Sequence, residues 1–215
     1  MFTGIIEELG TVEKFERSRE PSLITIRAEK ASRGLKAGDS ISVDGACLTV
    51  VRVNGGLFSV EAVNETIGRT TLGLRKPGDR VNIEGALIAG SKVSGHFVTG
   101  HVDGTGRIGS ISEAKGQITV EIKTGREILS GIVAKGSVAV DGISLTVGDV
   151  KPGSFSVYII PYTARMTTIG IKNAGDRVNL ETDMLGKYVG RHSDRDGKDG
   201  PSRITPEFLK EKGFI

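Results

Sequence analysis

Through most of this chain, hydrophobic and polar positions alternate with the two-residue period of half-buried strands. Leu9 to Phe15 and Ser22 to Ala28 are rich in β-branched and apolar residues. Gly38-Asp39 turns the chain into Ser40 to Val43. Cys47 to Val53 and Leu57 to Val63 flank Asn54-Gly55-Gly56, a hairpin signature. Pro77-Gly78-Asp79 marks another turn before Val81 to Glu84. Glu29 to Leu35 reads as one helical turn, and Thr66 to Thr71 as a compact polar segment. About six short strands at this spacing predict a small closed antiparallel barrel, since closure removes exposed sheet edges.

The pattern then repeats. Val43-Asp44-Gly45-Ala46-Cys47-Leu48-Thr49-Val50 returns as Val140-Asp141-Gly142-Ile143-Ser144-Leu145-Thr146-Val147. Thr3-Gly4 returns as Thr99-Gly100, Thr70-Thr71 as Thr167-Thr168, and Gly78-Asp79-Arg80-Val81-Asn82 as Gly175-Asp176-Arg177-Val178-Asn179. The second copy's short helix is expected over Glu127 to Ala134. We therefore expect an all-β chain: barrel 1 at residues 1–96, barrel 2 at 97–185, and a helical tail at 186–215. In that tail Asp183 would cap a helix with a Met184, Leu185, Tyr188, Val189 stripe. Ser193 to Arg203 reads as a flexible loop, and Thr205-Pro206-Glu207 opens a last helix that Gly213 ends.

Composition narrows the function classes. The chain has 215 residues and a formal net charge of +3. Its basic residues are scattered among nearly as many acids, and aromatics make up 5% with no Trp. Nucleic-acid binding is disfavoured, because it uses basic patches and aromatic stacking platforms. No apolar run is long enough to span a membrane, and Met1-Phe2-Thr3-Gly4 lacks a basic leader. A single cysteine excludes an internal disulfide and suits a reducing cytoplasm. With three histidines in no ligand spacing, a structural metal site is not expected.

The copies differ where chemistry would show. His101 stands where the first copy has Ile5, and reads either as a general base or as a strand histidine without a role. Cys47 is either an activated thiol or a small buried hydrophobe. Ser144 and Thr146 share one strand face, with Thr49 and Thr66 supplying further hydroxyls, to line a pocket or meet water. Asp183, against Ala86, is a helix cap or a functional carboxylate. No phosphate-loop, dinucleotide or nucleophile-elbow spacing is present.

Met1-Phe2-Thr3-Gly4-Ile5, the two Asp-Gly-x-(Cys/Ser)-Leu-Thr-Val motifs, Gly95-His96-Phe97-Val98-Thr99-Gly100-His101 and Glu65-Thr66…Thr70-Thr71-Leu72-Gly73 together resemble the riboflavin synthase family, over both copies. The resemblance implies two tandem six-stranded Greek-key barrels and a C-terminal helix that helps hold a homotrimer. It also implies a cofactor- and metal-free dismutation of two molecules of 6,7-dimethyl-8-ribityllumazine to riboflavin and 5-amino-6-(D-ribitylamino)uracil, and an association with lumazine synthase. Carried over by motif, a first-unit site would use Gly4, Ile5, Ile6, Cys47, Leu48, Thr49, Glu61, Ala62, Val63, Asn64, Glu65 and Thr66. A second-unit site would use Gly100, His101, Val102, Lys135, Ser144, Leu145, Thr146, Ile160, Pro161, Tyr162, Thr163, Ala164 and Arg165. Ser40, Cys47, His101, Ser144 and Asp183 match positions tied to turnover, and Phe2 and Thr3 an N-terminal segment tied to activity. Tyr162 departs from the family's frequent Glu. The rival readings are a lumazine-binding protein that holds its ligand unconverted, and a generic flavin-binding barrel.

Overall fold

A computed structural model describes residues 1–17, 20–114, 116–189 and 206–214. Among the described residues, twelve strands close into two barrels. In the first, β1 (Glu8–Glu16), β2 (Ser22–Arg27), β3 (Ser40–Val43), β4 (Ala46–Asn54), β5 (Leu57–Ala62) and β6 (Arg80–Gly85) run in the order β1-β2-β5-β4-β3-β6. In the second, β7 (Gly104–Ala114), β8 (Gln117–Lys123), β9 (Ser137–Val140), β10 (Ile143–Lys151), β11 (Ser154–Ile159) and β12 (Arg177–Thr182) repeat that order. All pairings are antiparallel. Both barrels lie within one compact unit, Met1–Met184, and Leu185–Ile215 forms another.

Alternation sets each core. Phe58 and Phe155, at matching positions, are the largest core side chains of their barrels, packed among Ile24, Ile41, Val60 and Ile83 in one and Ile122, Val138, Val157 and Leu180 in the other. The polar segment after β5 folds as helix α1 (Asn64–Arg69) and a 3-10 turn at Thr71–Leu74, whose Leu72 is buried in the barrel 1 core. In barrel 2 the same job falls to α3 (Pro161–Met166) and the 3-10 turn Thr168–Ile171, with Ile169 inward. Helix α2 (Arg126–Leu129) is shorter than the Glu127 to Ala134 expected, ending in turns that contain Gly131 and Gly136. Glu29 to Leu35 forms hydrogen-bonded turns, held by Glu8, whose carboxylate accepts the backbone N–H groups of Glu29, Lys30 and Ala31. Residues 184–189 and Pro206–Glu211 are helical, and Gly213 at φ 74° follows the latter. The Ser193 to Arg203 loop and Thr205 lie outside the described residues.

A buried polar seam joins the barrels. Asn82 Nδ2 donates to the Asp141 carbonyl (2.8 Å) and to Thr168 Oγ1 (2.9 Å), and its Oδ1 accepts the Thr168 N–H. Asn179 returns these bonds, donating to the Asp44 carbonyl (2.7 Å) and accepting the Thr71 N–H. Each Asn thus satisfies the other barrel's backbone, which makes the pairing specific because an unmet buried amide is costly.

Candidate active site

Two hairpin turns anchor the site. Asp44-Gly45 has φ 46° and 82°, and Asp141-Gly142 has φ 45° and 77°. Positive φ at both central residues is the type I′ geometry that fits the strand twist. The turns meet back to back: a Cβ on Gly45 would lie 2.7 Å from the Gly142 amide nitrogen, and one on Gly142 would lie 2.8 Å from that of Gly45. Each turn's Asp is fully buried. Arg75 donates twice to Asp44 Oδ2, at 2.8 and 3.1 Å. Lys172 Nζ lies 3.2 Å from Asp141 Oδ2 but outside hydrogen-bond geometry, so the second pair is the looser one. Burial lifts the Asp44 carboxyl to about 6, against the pull of Arg75.

Beyond each turn, a strand carries the divergent position: Cys47 and Leu48 on β4, Ser144 and Leu145 on β10. Cys47 and Ser144 are half-buried, Leu48 and Leu145 are core, and Thr49 and Thr146 face solvent two residues on. Ser40 pairs with Thr49, which pairs on its other side with Glu61. Ser137 pairs with Thr146, which faces Tyr158.

The chain before each barrel then crosses to the other one. Phe2 and Val98 form an isolated antiparallel bridge, with N–H to carbonyl distances of 2.7 and 3.1 Å. From it, Gly4 runs against barrel 2: its carbonyl accepts the Ser144 N–H at 2.8 Å, and Ile6 packs on the barrel 2 core. Gly100 runs against barrel 1: its carbonyl accepts the Cys47 N–H at 2.9 Å, and Val102 packs on the barrel 1 core. Both approaches need glycine at positive φ, since a Cβ on Gly4 would lie 2.6 Å from Ser144 Cβ and one on Gly100 would lie 2.5 Å from Cys47 Cβ. Grouping the site residues by sequence unit is therefore corrected. Gly4, Ile5 and Ile6 belong with Ser144, and Gly100, His101 and Val102 belong with Cys47. Phe2, fully buried, packs with Val98, Ala139 and Cys47 where the segments cross.

Two glutamates, not foreseen from the sequence, clamp the crossing. Glu84 Oε1 accepts Thr3 N–H (2.7 Å) and Oγ1–H (2.8 Å), while Oε2 accepts Gly4 N–H (3.0 Å). Glu181 binds Thr99 and Gly100 in the same way, at 2.6, 2.7 and 3.0 Å. Burial raises the Glu84 pKa despite these donors. The repeat itself carried the signal, since both residues follow the shared Val-Asn pair by two positions.

The remaining predicted residues differ in exposure. Ala62 is core, while Glu61 and Thr66 are half-buried and Val63, Asn64 and Glu65 are exposed; Glu65 pairs with Arg69 at 3.0 Å. Ile160, Pro161, Tyr162 and Arg165 are exposed beside the half-buried Thr163 and Ala164. His101 is exposed, with its N–H donated to Thr99 Oγ1 at 3.3 Å. Lys135 is exposed and takes φ 65°, where barrel 1 has Gly38 at φ 94°. A lysine held in the left-handed region is a strained position of the kind that marks functional sites. Asp183, after β12, is half-buried, and its charge acts on His96. His96, which the sequence singled out for no role, places Nδ1 2.7 Å from Ser144 Oγ. Burial lowers its pKa, with Asp183 opposing.

Among the described residues no group of three or more His, Cys, Asp and Glu side chains is arranged to hold a metal, and no helix is long and apolar enough to cross a membrane. A cleft of about 680 Å³ between the barrels, lined by Thr71, Arg75, Arg107, Thr168, Lys172 and Arg177 among others, contains none of the predicted site residues.

Comparison with known proteins places this geometry. The lumazine binding domain family matches residues 3–86 and 99–183. Riboflavin synthases of Actinobacillus pleuropneumoniae and Bacillus subtilis (strain 168) are 42% and 39% identical to the chain, each covering 100% of both sequences. That of Mycobacterium tuberculosis (strain ATCC 25618 / H37Rv) is 44% identical over 89% of this chain and 97% of its own. Among solved structures, LumP complexed with 6,7-dimethyl-8-(1'-D-ribityl) lumazine has a TM-score of 0.76 at 22% identity, and LumP complexed with riboflavin 0.78 at 23%. Each covers 85% of this chain and 99% of its own. At that identity these structures share the fold.

Proposed function

We propose a division of labour between the two barrels of a chain that belongs to the riboflavin synthase family. The chain is a transferase that dismutates 6,7-dimethyl-8-ribityllumazine: one molecule gives up a four-carbon unit, the other becomes riboflavin, and the donor leaves as the ribitylaminouracil. Two identical substrates need two similar surfaces, and different fates need those surfaces to differ.

In our reading, each barrel holds one pteridine against the strand after its Asp-Gly turn. The backbone of the crossing segment forms one wall: Gly100 to Val102 over Cys47 and Thr49, and Gly4 to Ile6 over Ser144 and Thr146. The segments Glu61 to Thr66 and Ile160 to Arg165 form the opposite rims. Lys135, aimed by its left-handed backbone, serves the barrel 2 face. The chemistry removes a proton from an acidified ring methyl and adds a nucleophile to a ring. His101, exposed on the segment that begins at Gly100, acts as the proton-transfer group. Cys47 and Ser144 contact the rings, Ser40 supports the barrel 1 face through its pairing with Thr49, and Asp183 is a polar partner on the barrel 2 side. Holding both rings in stacked register supplies much of the rate by removing translational and rotational freedom.

The reacting pair forms between barrel 1 of one copy and barrel 2 of another, in a homotrimer. Exposed apolar residues on the rims support this. Ile5, Val63, Phe97, Ile160 and Tyr162 are each between 42% and 63% accessible in the single chain, and a facing copy would cover them. The single free cysteine supports a reducing compartment, the cytoplasm.

The observation that carries the reading is the crossing itself. Backbone bonds from Gly4 and Gly100 build two matching half-sites, which then differ in the side chain they offer: a hydroxyl or a thiol. Incubating the purified, metal-free protein with 6,7-dimethyl-8-ribityllumazine and separating the products by chromatography tests it. One riboflavin should appear for every two lumazines consumed. Tight binding without turnover would make the chain a lumazine carrier.

A further inference from the structure

The Ser144 hydroxyl is held by a histidine that lies outside the duplicated motifs. His96 belongs to the connection between β6 and β7, and its own N–H is bonded to the Thr3 carbonyl at 3.1 Å. Gly95 lets that connection press against barrel 2, since a Cβ there would collide with the Thr3 carbonyl and lie 2.8 Å from Ser144 Cβ and 2.9 Å from Ser144 Oγ. The half-buried imidazole then sets Nδ1 2.7 Å from Ser144 Oγ, within the usual range for a hydroxyl hydrogen bond. The backbone of Gly4 fixes Ser144 from the other side. Among the described residues, Ser144 is hydrogen-bonded to a histidine side chain and Cys47 is not. The array also differs from a hydrolase triad, in which Nε2 faces the serine and Nδ1 the carboxylate.

We propose that His96 is a positioning residue that acts through Ser144: Nδ1 accepts the Ser144 hydroxyl proton, fixes the rotor, and turns the oxygen's lone pairs toward the pteridine in the barrel 2 half-site. A serine hydroxyl has one proton and two lone pairs. With its proton committed to Nδ1 and the ring proton on Nε2, Ser144 serves the ligand as an acceptor only. No proton changes owner in this step. The barrel 2 half-site therefore favours a ring edge or a bound water that donates a hydrogen bond, while Cys47, a weak donor and weak acceptor, sets no such demand. The difference sorts two identical substrates into two roles. The inference rests on the proposed synthase reaction.

The test is a double-mutant cycle on the full-length protein, with 6,7-dimethyl-8-ribityllumazine as substrate and the variants His96→Phe, His96→Asn, Ser144→Ala and His96→Phe with Ser144→Ala. His96→Phe should lower kcat roughly tenfold, about the value of one hydrogen bond, with KM little changed. His96→Asn sets an amide oxygen near the Nδ1 position and should recover most of that loss. In the Ser144→Ala background, His96→Phe should cost nothing further, because a residue acting through Ser144 has nothing left to act on. A purely structural histidine would instead give additive losses and no recovery in His96→Asn, and that result overturns the proposal, as does a His96→Phe protein with wild-type kcat. Should His96→Phe fail to fold, His96→Ala takes its place in the cycle: a kcat loss that His96→Asn recovers and that vanishes in the Ser144→Ala background supports the proposal, and wild-type kcat or additive losses contradict it. Absence of riboflavin from the wild-type protein would defeat the synthase reading and this inference with it. Normal turnover with additive losses would defeat this inference alone.

Discussion

Barrel 1 sets a thiol, Cys47, against the segment that carries the exposed His101, whereas barrel 2 sets a hydroxyl, Ser144, hydrogen-bonded to the half-buried His96 near the charge of Asp183. Around these differences the scaffold is nearly the same. Both have a buried aspartate at a type I′ turn, a glycine carbonyl from the opposite copy on the divergent residue, and a glutamate clamping that glycine's segment. Duplication has kept the backbone hydrogen bonds of the crossing segments and let the side chains at Cys47 and Ser144 diverge. The two buried ion pairs follow the same rule less strictly, with a two-bond Arg75 in one copy and a looser Lys172 in the other.

Breaking the crossing should hurt most. Phe2 is wholly buried where both segments meet, so Phe2→Ala should cost about 3–5 kcal/mol in denaturant unfolding and impair both half-sites together. If ligand affinity fell at one face only, the two segments would not be mechanically joined.

Next come the ion pairs. Arg75→Leu leaves Asp44 buried without its partner and should cost about 3 kcal/mol; Lys172→Leu should cost less, since its contact with Asp141 is poorer. The first variant also carries a pH signature. Asp44 titrates near 6 in the folded protein, above the ordinary 3.8, so the folded state holds that proton more tightly than the unfolded chain. The stability it lends is complete below the ordinary value and is lost as pH rises through about 6. Removing Arg75, which pulls the value down, should extend the loss to higher pH, so Arg75→Leu should regain stability when urea unfolding is repeated at pH 5 rather than 7. A penalty equal at both pH values would show that Asp44 is not the group responsible.

The clamps sharpen the comparison without abolishing the fold. In Glu84→Gln, one of the donors from Thr3 or Gly4 must face an amide N–H, at a cost of about 1–3 kcal/mol. Because Gly4 lies against Ser144, the loss of ligand affinity should appear at the barrel 2 face. Glu181→Gln should do the reverse through Gly100 and Cys47. The smallest effect belongs to Lys135. Lys135→Gly relieves a left-handed backbone and should change stability by no more than about 1 kcal/mol in either direction, while weakening ligand binding in a titration, since Gly38 shows that the fold itself asks for no side chain there.

Much of this architecture is legible in the sequence, and the illegible part has a physical cause. The Asn54-Gly55-Gly56 and Asp-Gly turns bracket alternating strands, so the hairpins and the duplicated barrels follow from local chemistry. Cys47 and Ser144 stand out because the copies differ there. The crossing does not show, because nothing in Met1 to Ile6 says which barrel it will lie against: the choice rests on contacts with Ser144, some 140 residues away. His96 is silent for a related reason. It sits in a connector beyond the repeated motifs, and only the closeness allowed by Gly95 gives it a partner. The helix expected over Glu127 to Ala134 stops at Leu129, where the turns around Gly131 and Gly136 outweigh the helical propensity before them.

The central claim is that one chain presents two unequal faces, each built by a segment from the opposite copy. It is tested most directly by NMR of the protein saturated with riboflavin, the product, carrying 13C in its ring methyl groups, in Cys47→Ala, Ser144→Ala and wild-type protein. Two bound environments should be resolved for each methyl group, with Cys47→Ala shifting one set, Ser144→Ala the other, and Gly4→Ala disturbing the Ser144 set alone. A single bound environment, or a Gly4→Ala effect confined to the Cys47 set, would contradict it.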